Sequence, residues 1–106
     1  MEFKILDAAE AELRAVARYY DTELPGLGLD LTEEFAQVLK RILAHPQAGP
    51  PVATGIRRQL LRRFPFSVYY LVDGTMVVVL AVAHHSRKPN YWKKRKRSLG
   101  SDHRFL

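Results

Sequence analysis

The run Met76-Val77-Val78-Val79-Leu80-Ala81-Val82-Ala83 constrains this chain more than any other stretch, because it is apolar at both parities. Side chains alternate across a strand, so such a run is accommodated only where both faces of a sheet are covered. It therefore predicts an internal strand over Thr75 to His85. Asp73-Gly74 precedes it, and before that Phe66 to Val72 is a second strand-like run. Asp-Gly between two apolar runs is a strong hairpin signal. A third run, Ile56 to Arg63, leads into this pair.

The first half reads differently. Phe3 and Ile5 alternate with Glu2 and Lys4, as in a short strand. Asp7-Ala8-Ala9-Glu10 then has the spacing of a capping box. The helix that follows carries Leu13, Val16, Ala17 and Tyr20 on one side, and Leu24-Pro25-Gly26-Leu27-Gly28 ends it. A second helix is expected from about Asp30 to Ala44, opened by a possible capping box at Asp30-Leu31-Thr32-Glu33 and striped by Leu31, Phe35, Val38, Leu39, Ile42 and Leu43. His45 to Pro51 holds three of the six prolines and reads as a loop. The predicted order is β-α-α-β-β-β, an α+β domain with a helical hairpin packed on a small, mainly antiparallel sheet.

With 106 residues there is room for one domain, expected over residues 1–97, with a flexible tail over 98–106. Cysteine is absent, which excludes disulfides, thiol nucleophiles and thiolate metal sites. No stretch reaches the length of a membrane span, and the N-terminus lacks the layout of a signal peptide, so a cytoplasmic protein is expected. The net charge of +6 is split unevenly: residues 1–55 carry net −4 and residues 56–106 net +10. A surface of that kind suits a polyanion or an acidic protein.

Three features of the basic half resemble the RelE/ParE superfamily, the toxin halves of bacterial type II toxin-antitoxin pairs. They are Arg57, the run Arg62-Arg63-Phe64-Pro65-Phe66-Ser67-Val68-Tyr69-Tyr70, and the close from Ala81 to Trp92 that contains His84-His85-Ser86-Arg87-Lys88-Pro89-Asn90-Tyr91-Trp92. The resemblance covers about residues 2 to 95. It implies a cognate antitoxin that wraps the toxin, and a target that is either DNA gyrase or the ribosome with its messenger RNA. It implies no cofactor.

For members that cut messenger RNA, the chemistry needs a base for the 2′-hydroxyl, a cation for the phosphate and a donor for the leaving oxygen. The matching positions are His84 or His85, Arg87 and Tyr91. One departure counts against that mechanism: many nuclease members carry an arginine in the strand after the Phe-Pro corner, where this chain has Ser67. The resemblance therefore tilts toward the ParE-like, gyrase-directed branch, for which no catalytic residues are expected. A member of the fold that acts only as a binding module is the third reading.

Target-binding candidates are Arg57, Arg62, Arg63, Arg87, Trp92, Lys93 and Arg95. If the strand runs to Arg63, alternation puts Arg57 and Arg63 on one face and Arg58 and Arg62 on the other. One of them pairing with an acid of the helical hairpin is the plainer reading. Trp92 either stacks a base amid its cations or anchors the chain end by burying its ring, and anchoring is preferred. His84 and His85 are adjacent on a strand and point apart, so no metal site is expected.

Overall fold

The computed structural model describes residues 1–87 and 89–96, and the tail expected over 98–106 lies outside the described residues. The elements are β1 (Glu2–Ile5), α1 (Asp7–Glu23), α2 (Leu27–Ala44), β2 (Pro51–Ala53), β3 (Ile56–Leu60), β4 (Phe66–Asp73) and β5 (Met76–His84). A 3-10 turn over Pro89–Trp92 follows, and residues 93–96 are helical. The five strands form one sheet in the order β1-β5-β4-β3-β2, with β1 parallel to β5 and the other pairs antiparallel.

β5 is internal and buried on both faces, as its apolar run requires. Its pairing with β4 slips between Tyr69 and Tyr70: Tyr69 faces Ala81 while Tyr70 faces Val79. The extra residue, Leu80, makes a bulge that changes which parity faces which layer. Val77, Val79 and Val82 pack under the helices with Phe35, Val38 and Tyr70. Val78, Leu80, Ala81 and Ala83 pack on the other face with Tyr69 and Trp92.

Several local expectations are corrected. Neither capping box forms. Leu6 precedes α1 with no side-chain cap, and Asp7 and Glu10 lie inside its first turn, where negative charge suits the helix dipole. α2 begins at Leu27, three residues before the expected start, because its cap is tertiary: Asp21 of α1 accepts the Gly28 N–H at 2.8 Å. Gly28 permits this approach, since a Cβ there would lie 2.3 Å from the Ala17 carbonyl oxygen. A strand absent from the expected order, β2, pairs with β3 at the sheet edge, where Pro51 is tolerated. The β4–β5 loop is Gly74-Thr75 rather than Asp73-Gly74, with Asp73 still paired to Met76 and Gly74 at φ +60°.

β3 stops at Leu60, short of Arg63. Glu34 of α2 accepts the backbone N–H groups of Arg62 and Arg63, drawing the chain away from the sheet before Pro65, which has no N–H to give. Arg62 and Arg63 thus belong to a corner, and the expected alternation with Arg57 and Arg58 does not extend to them.

Candidate target-binding surface

The basic close of the chain leaves β5 at His84 and turns at once. His85 donates its N–H to the Pro65 carbonyl at 2.9 Å, and Arg87 donates to that of His84 at 3.0 Å. The His84 ring stands edge-on to Phe66, and its Nδ1 accepts the Ser86 N–H at 3.0 Å. His84 closes the strand by local hydrogen bonding, with its side chain at the surface.

Arg87 and Tyr91 are brought together. The Arg87 guanidinium lies 3.8 Å from the centroid of the Tyr91 ring, a cation–π contact. Both meet Glu12 of α1. Tyr91 donates its hydroxyl to Glu12 Oε2 at 2.9 Å, and Arg87 Nη1 is 3.9 Å from the same oxygen. Arg95 completes the cluster: Nη1 donates to Glu12 Oε1 at 2.8 Å and to the Leu80 carbonyl at 2.8 Å, and Nη2 donates to Oε2 at 3.2 Å. Such a forked guanidinium–carboxylate pair fixes orientation as well as charge. Burial pushes the Tyr91 hydroxyl up to about 12, aided by the hydrogen bond and charge of Glu12 and opposed by Arg87 and Arg95. The phenol is therefore neutral at physiological pH, with its proton directed at a carboxylate.

Glu12 is the residue at the centre of this cluster that sequence reading missed. Its signal was present: it lies three residues after Ala9 and four before Val16, on the apolar stripe of α1. A carboxylate on that stripe needs a partner when the helix docks.

The remaining candidates separate by environment. Arg57 donates from Nη1 to the carbonyls of Gln47 at 2.9 Å and Gly49 at 2.7 Å, holding the proline-rich loop. Arg63 pairs with Asp30 at 3.3 Å, the hairpin acid that the plainer reading expected. Arg62 is exposed beside it, along a shallow cleft that Asp30, Glu33, Glu34 and Arg41 also line. Lys93 and Arg87 are exposed, as is Lys94.

Trp92 is 1 % exposed and stacks on Tyr69, with ring centroids 5.0 Å apart and planes 24° from parallel. Its ring is inside the protein, packed against Tyr69, and so fastens the segment to the sheet. Ser67 is fully buried on this same face, paired in register with Leu60 and Ala83. An arginine there would have to be accommodated at a fully buried position.

Among the described residues, no helix is long and apolar enough to cross a membrane, and no cluster of acids and histidines is placed to hold a metal ion. No curated protein matches the chain in sequence. Among solved structures it is similar to the chromosomal ParDE TA system from P. aeruginosa, at 27% identity and a TM-score of 0.70, covering 79% of this chain and 95% of that one. The family model for the ParE toxin of the type II toxin-antitoxin system, parDE, matches residues 3–89. The β-α-α-β-β-β-β order, the hairpin-on-sheet packing and this match agree, and the chain belongs to the ParE toxin family of type II toxin-antitoxin systems.

Proposed function

We propose that this toxin arrests growth by binding DNA gyrase, acts in the cytoplasm and is neutralised by an acidic segment of its cognate antitoxin. The observation that carries the choice of target is the engagement of Tyr91 and Arg87 with Glu12. A nuclease needs a phenol or imidazole and a cation free to meet a phosphate. Here the phenol's proton is held by a carboxylate, and the cation lies over the phenol ring. What the segment offers outward is charge: Arg87, Lys93 and Lys94 at the surface, with Arg62 at the corner. That is a binding surface for an acidic partner.

The test is a supercoiling assay with purified toxin and purified gyrase, run beside primer extension on messages from induced cells. Gyrase inhibition relieved by antitoxin, with intact messages, is the expected result. Codon-phased cuts in messages with uninhibited gyrase would overturn it.

A further inference from the structure

β1 lies beside β5 only as far as Leu6, whose N–H reaches the Val79 carbonyl. Beyond that point, among the described residues, no strand neighbours the β5 edge, and its backbone groups need partners of another kind. Glu12 accepts the Val82 N–H at 3.1 Å, and Arg95 donates to the Leu80 carbonyl. A side-chain ion pair thus stands in for the missing strand. The same Glu12 carboxylate takes the Tyr91 hydroxyl and the Arg95 fork, and lies beside Arg87. All three partners come from residues 87–95, the stretch that carries the exposed Lys93 and Lys94. Across the sheet, Lys96 donates to the Thr54 carbonyl in the β2–β3 turn. Between these two ties Trp92 stacks on Tyr69. Arg87 and residues 89–96 therefore form a strap across the sheet, and Glu12 holds its β5 end.

We propose that Glu12 is the positioning residue of the toxin's basic segment: without touching the target, it clamps Tyr91, Arg95 and Arg87 so that Arg87, Lys93 and Lys94 are presented as a fixed array. The proposal rests on residues 87–96 being the target-binding segment, and is independent of which target they meet. A free segment would have to be ordered at the moment of binding, and that ordering opposes affinity.

Trp92 is the chain's single tryptophan, so its fluorescence reports whether the strap is seated. Glu12→Ala removes the ties to Tyr91, Arg95 and Arg87 at the β5 end. Its Trp92 emission should move to longer wavelength and acrylamide quenching should rise, while the far-UV spectrum keeps its helical signal. Growth inhibition should fall at least about tenfold, the equivalent of one lost charge-assisted hydrogen bond. Glu12→Gln keeps an acceptor oxygen without the charge and should fall between Glu12→Ala and wild type in both readouts. Glu10→Ala, which breaks the exposed Glu10–Arg14 pair two positions away, should change neither.

Should Glu12→Ala fail to fold, Arg95→Gln removes the partner on the segment side and leaves α1 intact; the same tryptophan response is expected. Wild-type emission and quenching in the folded variants would overturn the proposal, whatever the target. So would a released Trp92 with undiminished growth arrest. Failure of the supercoiling assay alone would reject gyrase and leave both of these readouts standing.

Discussion

Trp92→Ala is the sharpest test of how the second face of the sheet is held. The ring is 1 % exposed, so truncation removes almost a whole aromatic side chain from the interior. Buried aromatics contribute 150–250 Å², which at about 25 cal/mol per Å² is roughly 4–6 kcal/mol before any relaxation. Two terms reduce this. The indole Nε1 is buried with no hydrogen-bond partner among the described residues, and removing an unpaired donor returns about 1–3 kcal/mol. The segment can also lift away rather than leave a cavity, which caps the loss at the free energy of seating it. A net destabilisation of about 3 kcal/mol follows, within the range for aromatic truncation. In urea, followed by far-UV circular dichroism, the midpoint should drop by about 1–3 M. Trp92→Phe keeps the stack on Tyr69 and discards the unpaired N–H, so it should cost no more than about 1 kcal/mol. A Trp92→Ala protein with the wild-type midpoint would refute the anchoring argument and return the ring to the binding surface.

Gly49→Ala should destabilise by about 1–3 kcal/mol in the same unfolding assay, since the new Cβ would lie 2.5 Å from the Tyr70 hydroxyl and 2.9 Å from the Arg58 carbonyl oxygen. Tyr91 holds its proton more tightly folded, at about 12, than in the ordinary tyrosine range near 10. Its contribution is fully present below about pH 10 and is lost as pH rises toward 12, because the unfolded chain ionises first. Stability measured across that window should fall less steeply in Tyr91→Phe than in wild type, and equal slopes would contradict the assignment. Arg87→Lys keeps the charge and gives up the planar fork. On a basic binding surface it should retain most growth inhibition, and a folded Arg87→Lys protein without toxicity would count for the nuclease mechanism instead.

What could be read from the sequence was what depends on local pattern. The run from Met76 to Ala83 showed an internal strand, and Asp73-Gly74 placed the hairpin to within one residue. The two helices followed from their stripes. What escaped was tertiary in origin. The cap of α2 comes from Asp21, seven residues away on another helix, so the local box at Asp30 was beside the point. The bulge at Leu80 is invisible in a run where every parity is apolar. β2 is three residues long and begins with proline, so its pairing depends wholly on β3 beside it. The Glu12 cluster joins residues 79 and 83 positions apart, a distance that periodicity does not span. Arg87 and Tyr91 were legible as types and spacing; their shared carboxylate was not.

The two faces of the sheet are closed by unlike means, and this bears on where the molecule yields first. Under the helices, two elements of 17 and 18 residues close one continuous apolar cluster. On the opposite face the cover is the short stretch 89–96, held by one ring stack, the Glu12 clamp and the tie from Lys96 to Thr54. That second layer also contains both buried polar atoms without partners among the described residues, Ser67 Oγ and Trp92 Nε1. Each unpaired group costs about 1–3 kcal/mol, which subtracts from the free energy of seating the cover and leaves the helix layer untouched. Local opening begins where apolar contacts are few and polar groups are unpaired, so it begins here. The cover is also the most basic part of the described chain, with four of its last four residues, 93–96, being lysine or arginine. Its positive charges repel one another, and among the described residues Glu12 offsets them at close range. The element that completes the fold is therefore the same one proposed to present charge to a partner, and on that proposal a partner's acidic groups would stabilise the cover as they bind it.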